Sequence, residues 1–190
     1  MDELINKIIN SNQKFVSSAK REFFENQQES QSPFVTLVTC ADSRVQVEVI
    51  NEDAFNKFFV VRNIGNQIFS NEGSIDYGVL NLKTPILMIL GHSDCGAVKA
   101  FLDGYSRETK PIIKVLDQLI PGISHEDKDL LSSIIQNVNY QVGIAVNKYS
   151  NIIETSELTV VGALYDFRNE LKKGYGKLIL LNINGEVQPY

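Results

Sequence analysis

Phe34-Val-Thr-Leu-Val-Thr-Cys40-Ala-Asp42-Ser-Arg44 and Ile86-Leu-Met-Ile-Leu-Gly91-His92-Ser-Asp94-Cys95-Gly96 decide how this chain folds. In each, a compact apolar and β-branched run ends in a cluster of chemically active side chains. Such runs read as strands buried within a sheet. Two more lie at residues 58–64 and 158–164, and a fifth at 177–181 follows the glycine turn Gly174-Tyr-Gly176. Helical periodicity separates most of them, at 73–82, 97–102, 112–120 and 126–149. Strands alternating with helices predict a parallel sheet with helices on both faces. No internal repeat or low-complexity tract interrupts the pattern.

Outside this region, Leu4, Ile5, Ile8, Ile9, Phe15, Val16, Phe23 and Phe24 recur at amphipathic helical spacing. They predict two N-terminal helices broken near Ser11-Asn12. A polar stretch at 26–32, closed by Pro33, reads as a loop because the apolar pattern resumes at once. Ser124-His125-Glu126-Asp127 follows Pro121-Gly122 and reads as an N-cap with acidic residues in the first turn. His125 there is read as a solvated surface histidine, with a proton shuttle as its functional alternative.

Composition narrows the classes of function. The chain has 190 residues, 43% of them hydrophobic and 22% charged, which fits one globular domain over 1–190. A net charge of -5 without a long basic run argues against nucleic acid or an anionic membrane as partner. The acidic, amphipathic start lacks the basic and apolar segments of a signal peptide, and no apolar run is long enough to span a bilayer. A cytoplasmic location is therefore expected. Two reduced cysteines there favour metal binding or catalysis over a disulfide.

Cys40 closes one strand and His92-x-x-Cys95 closes another. Neighbouring strand ends in an open α/β sheet converge on one crevice, so the three side chains can meet. Two thiolates and an imidazole are three zinc ligands, and a fourth position left open is the mark of a catalytic site. The Gly91 and Gly96 flanks are expected to let the backbone turn tightly. Spacing alone leaves a second reading open, because buried cysteines and core histidines are common. Asp42 and Arg44 weigh against it: two charges after a buried strand need partners. On an extended segment, i and i+2 point the same way and the two would pair.

Cys40-Ala-Asp-Ser-Arg44-Val and Gly91-His-Ser-Asp-Cys95-Gly resemble the two signature motifs of the β-class carbonic anhydrases. The likeness extends through Gln31-Ser-Pro33, Phe59-Val-Val-Arg62-Asn63, Gly73-Ser-Ile-Asp-Tyr77 and Val161-Gly-Ala-Leu-Tyr165-Asp166, densely over 31–100 and more loosely beyond. The resemblance implies reversible hydration of carbon dioxide to bicarbonate and a proton. One Zn2+ per subunit would be held by Cys40, His92 and Cys95, with water or hydroxide as the fourth ligand. Asp42 would accept a hydrogen bond from that fourth ligand while Arg44 keeps the carboxylate ionised and oriented. Gln31 would reach the substrate from a neighbouring subunit, Phe59 and Tyr77 would line the pocket, and the Gly96 N–H would suit an anionic oxygen. The implied architecture is a central, mostly parallel β-sheet of four parallel strands plus an antiparallel edge strand, flanked by helices. An N-terminal helical arm over 1–30 would pack on a partner in a homodimer or homotetramer.

In some members the aspartate itself ligates zinc and shuts the site. That subtype carries a tryptophan three positions before the first cysteine; here Leu37 stands there and the chain has no tryptophan, which favours the open, plant-like form. Ala41 and Asp94 depart from the common pattern. Asp94 is expected either to point outward from a helix start, where negative charge is favourable, or to face the metal and disfavour bicarbonate. Two other functions remain compatible with these residues: hydrolysis of carbonyl sulfide or carbon disulfide on the same scaffold, and a zinc-holding module without catalysis.

Overall fold

The computed structural model describes residues 2–25, 30–124, 126 and 128–190, which form two compact units, one up to Ser32 and one from Pro33 to Tyr190. His125 lies outside the described residues, as do Asp127 and most of the 26–32 stretch. No described helix is long and apolar enough to cross a membrane.

The first unit holds α1 (Asp2–Ser18) and α2 (Arg21–Glu25). The predicted break at Ser11-Asn12 does not occur; both residues are exposed, where a helix tolerates them at a cost of only a few tenths of a kcal/mol. The helix ends later, where Ser17 and Ser18 turn their hydroxyls back onto the Gln13 and Phe15 carbonyls, at 2.8 and 2.9 Å. Phe15 then meets Phe23 and Phe24 edge-on, with ring centroids 5.9 and 6.3 Å apart.

In the second unit β1 (Val35–Cys40), β2 (Phe58–Asn63), β3 (Ile86–His92) and β4 (Thr159–Asp166) run parallel in the order β2-β1-β3-β4. Then β5 (Lys177–Ile183) adds antiparallel to β4. The expected antiparallel edge is formed by β5 together with the two-residue strand β6 (Glu186–Val187), which pairs outside it. The turn between them is Asn184-Gly185, both at positive φ (49° and 94°), the backbone of a tight hairpin. Strands β1 and β3 extend through Cys40 and His92, which places the two residues on the last rungs.

The helices are α3 (Glu72–Asp76, extended by a π turn over Tyr77–Asn81), α4 (Gly96–Asp103), α5 (Lys110–Leu116), α6 (Leu130–Lys148) and α7 (Ser150–Glu154). All five contribute to one core on one face of the sheet. There Val38, Val61, Leu87, Ile89, Val160 and Leu164 pack with Ile134, Val138 and Val142 of α6. Gly91 serves this packing rather than a turn: a Cβ there would sit 2.6 Å from Val138 Cγ2, so α6 lies directly on the strand.

Among the described residues of this unit, the helices expected on the other face are not found. Val35, Leu37, Leu90 and Ala163 are covered instead by Val45 and the single 3-10 turn Val47–Val49. Val60 of β2 and Leu178 and Leu180 of β5 stay exposed. The predicted cap at Ser124 is also displaced. Ser124 Oγ accepts the Glu126 N–H in a local turn, and Asp129 caps α6 by accepting the Ser132 N–H at 2.7 Å.

One ionic cluster ties α3 to the end of α6. Asp76 accepts hydrogen bonds from Tyr149 Oη at 2.6 Å and Lys148 Nζ at 3.0 Å, and Lys148 also pairs with Glu72. Burial pushes the Asp76 pKa up, but the Tyr149 and Lys148 bonds outweigh it and the net shift is down. A carboxylate lowered in the fold stabilises it above the unfolded pKa, about 3.9, and that contribution is lost as pH falls. Urea midpoints should therefore drop below about pH 4, less steeply in Asp76→Asn. Equal pH slopes for the two proteins would remove Asp76 from acid sensitivity.

Candidate metal centre

Because β1 and β3 are parallel neighbours, their carboxyl ends deliver Cys40 and His92 to the same edge of the sheet. Cys95 is the N-cap residue of α4, three positions beyond His92. All three are buried, at 6%, 0% and 1% exposure, and both thiols are free. The two sulfurs and one imidazole nitrogen lie within 4.8 Å of one another. A tetrahedral zinc with bonds of about 2.3 Å to sulfur and 2.0 Å to nitrogen holds its ligand atoms roughly 3.5–3.8 Å apart, so small side-chain adjustments close on an ion.

Polar accounting supports the fit. His92 Nδ1 lies 2.9 Å from the Ser93 carbonyl, which assigns the N–H to that side and leaves Nε2 as a lone pair. Nε2 is fully buried and has no hydrogen-bond partner. An orphaned buried acceptor is costly in a native structure, and a cation at this point satisfies it. The hydrogen bond from Cys95, supported by the Gly65 and Asp42 amides, holds Cys40 well below the usual thiol range despite burial. The same contact, with burial, pushes Cys95 up.

The loop behind Cys40 has a cause that the sequence reading missed. Gly65 and Asn66 both take positive φ, 80° and 49°, and aim the Gly65 amide at the Cys40 sulfur. Two polar residues on the inner face of α6 fix that shape. Asn137 donates to the Gly65 carbonyl at 3.0 Å, and Gln141 accepts the Ile68 N–H at 2.9 Å. Arg62 donates to the Val45 carbonyl at 2.6 Å and braces the turn after Cys40.

Asp42 and Arg44 do pair, though not across an extended segment. Residues 42–45 form a turn closed by the Val45 N–H on the Asp42 carbonyl. The Asp42 carboxylate accepts the Arg44 N–H and Nε–H at 2.9 Å each and an NH2 hydrogen at 2.7 Å. The Arg44 hydrogen bonds dominate the Asp42 pKa and hold it down to about 2, against the opposing effect of burial. Asp42 Oδ2 lies 3.9 Å from His92 Nε2, at the margin of the ligand cluster.

The Asp94 carboxylate bonds Arg44 and Arg168, and it is not part of the Cys40, His92 and Cys95 cluster. Asp94 takes a positive φ of 56°, which neither flanking glycine does. Gly96 opens α4 beside Cys95, with no atom within 4 Å of where a Cβ would stand. Phe59 and Tyr77 come together, ring centroids 5.8 Å apart, Phe59 packed into the α6-side core and Tyr77 about half exposed. Gln31 lies exposed in the other unit.

An α/β sheet whose carboxyl edge gathers two thiols, an unpartnered imidazole nitrogen and an arginine-locked carboxylate defines a single-ion metalloprotein. Comparisons with known proteins make that class specific. A family model described as carbonic anhydrase matches residues 35–172. Carbonic anhydrase 2 of Mycobacterium tuberculosis is 34% identical over 146 residues, covering 71% of this chain and 70% of that protein. The carbonic anhydrase of Mycolicibacterium smegmatis is 31% identical over 164 residues, 79% and 80% of the two chains. In fold, the chain is similar to the β-carbonic anhydrase CcaA, with a TM-score of 0.80 at 22% identity, covering 95% and 88% of the chains. It is also similar to a tetrameric β-carbonic anhydrase of Sordaria macrospora, with a TM-score of 0.81 at 22% identity over 95% and 98%. The chain belongs to the β-carbonic anhydrase family.

Proposed function

We propose that this protein reversibly hydrates carbon dioxide to bicarbonate and a proton, with one Zn2+ held by Cys40, His92 and Cys95. The observation that carries the reading is the unpartnered, fully buried His92 Nε2 facing two free thiols beside an arginine-locked carboxylate. When bound, zinc supplies the Lewis acidity that makes a water molecule nucleophilic near neutral pH.

The protein side chains do the rest. Asp42 stays ionised at working pH and can only accept hydrogen bonds, so it takes one O–H of the attacking water and orients a lone pair toward the substrate carbon. Arg44 keeps that carboxylate from rotating. The Gly96 amide at the start of α4 is offered to an anionic bicarbonate oxygen. Phe59 and Tyr77 are assigned to an apolar approach for the gas, which excludes competing water.

Gln31 is assigned to substrate binding across a subunit boundary, within a homodimer or homotetramer. The exposed Leu4 and Ile8 of α1 and the uncovered Val60, Leu178 and Leu180 supply apolar surface for such assembly. A site built on two free thiols suits the reducing cytoplasm, where we place the protein. No residue here favours carbonyl sulfide, carbon disulfide or simple zinc storage over carbon dioxide. The direct test is stopped-flow hydration of carbon dioxide by zinc-loaded protein, with carbonyl sulfide turnover on the same sample. Hydration at the uncatalysed rate with full zinc occupancy rejects the assignment.

A further inference from the structure

Arg44 has five N–H groups, and its pair with Asp42 does not use them all. On its remaining edge NH1 donates to Asp94 Oδ2 at 2.9 Å, and NH2 reaches the Asp94 carbonyl at 3.1 Å. The other Asp94 oxygen, Oδ1, accepts from Arg168 NH1 at 2.9 Å. Arg168 is itself tied down. Its backbone N–H donates to Ser93 Oγ at 3.3 Å, and the Ser93 N–H donates to the Tyr165 carbonyl at 3.1 Å. Phe167 lies under the Arg44 guanidinium at 4.8 Å and stacks on the His92 ring at 6.1 Å. Just beyond, the Asp166 carboxylate accepts the Glu170 and Leu171 N–H groups at 3.0 and 2.9 Å and fixes this bend.

A lone arginine–aspartate pair with the arginine side chain 46% exposed would be mobile and would hold little. Here the guanidinium is gripped on two edges and one face. Asp94 holds a left-handed backbone between two ligand positions to do so, a conformation that a non-glycine residue keeps only when its surroundings enforce it.

We propose that Asp94, braced by Arg168, is a positioning residue that keeps Arg44 on Asp42 and thereby keeps the Asp42 carboxylate from becoming the fourth metal ligand. Asp42 Oδ2 stands 3.9 Å from His92 Nε2, close enough to compete for an ion held there, and the Arg44 hydrogen bonds hold it back. The role of Asp94 and Arg168 rests on the functional reading above, so its test must separate the two.

The measurement is binding of azide to the cobalt-substituted protein, read from the visible spectrum, because azide binds only where the fourth position is open. Asp94→Gly removes the carboxylate while keeping the left-handed backbone at ease. It should weaken azide binding about tenfold, the scale of an outer-shell partner, with cobalt content unchanged. Arg168→Gln should weaken it by a smaller factor, and the double variant should match Asp94→Gly because both residues act through one contact. Carbon dioxide turnover should fall with azide affinity across the series. Unchanged azide affinity in Asp94→Gly, or losses in the double variant equal to the product of the single ones, overturns the brace. A wild-type spectrum that azide leaves unaltered overturns the open site beneath it as well.

Discussion

Serine in place of Cys40 should leave a folded protein that no longer retains zinc and no longer hydrates carbon dioxide. Serine keeps the branching of cysteine with a smaller oxygen in place of sulfur, and the Gly65 and Asp42 amides that face the sulfur can bond a hydroxyl as well. The buried position therefore keeps its polar partners, and the loss of fold stability should be about 1 kcal/mol, that of a single altered hydrogen bond. Metal binding has no such reserve. Among the described residues three side chains are placed to hold an ion, and a serine hydroxyl does not ionise in the range where the thiol does. Outer-shell partners of metal sites typically govern affinity about 10–100-fold, and a direct ligand should exceed that.

Zinc per chain, measured after dialysis against a weak chelator, should fall from near one to near zero, while circular dichroism stays native. His92→Ala should behave alike, with a further loss of stability because the ring packs on Phe167. Wild-type protein should also melt at a higher temperature with zinc than without. A ligand at a thousand times its dissociation constant adds about 4 kcal/mol to the folded state. Stoichiometric zinc in Cys40→Ser would mean that the ion sits elsewhere.

How far the sequence reached depends on which interactions set each feature. Strand identity and order of chemistry were legible because a buried parallel strand advertises itself as an apolar run, and Cys40 and His92 stand at the ends of two such runs. The β6 hairpin was not read: Asn184-Gly185 marks its turn, but a two-residue strand has no periodicity to draw the eye. The end of α1 rests on serine hydroxyls bonding backward, and the start of α6 on Asp129 rather than Ser124. Either choice was available to the local sequence, and packing decided it. Least legible were groups acting over long separations: Asn137 and Gln141 shaping the Gly65 loop, and Arg168 gripping Asp94. Polar residues on the inner side of an otherwise apolar helix were the one available hint for the first pair. For Arg168, the only signal was its place just beyond a strand end.

Replacing Asp42 with asparagine should produce the opposite split from Cys40→Ser: zinc stays at one per chain and hydration collapses. Asparagine preserves the shape but turns one acceptor oxygen into a donor. Its amide cannot receive hydrogen bonds on both atoms from Arg44, as the carboxylate does at 2.9 and 2.7 Å. If its oxygen keeps the guanidinium, its NH2 group faces the metal site and offers a hydrogen where the attacking water needs an acceptor. The loss of one preorganised group of this kind costs about 10²–10³ in turnover. Stability should barely change, since the Asp42–Arg44 pair is solvent-accessible on the arginine side, at 46%, and exposed pairs contribute about 0–1 kcal/mol. Stopped-flow hydration with a pH indicator, run beside zinc analysis on the same preparation, reads both quantities. An asparagine variant within about threefold of wild type, well short of the roughly hundredfold scale of such a group, would remove Asp42 from the chemistry.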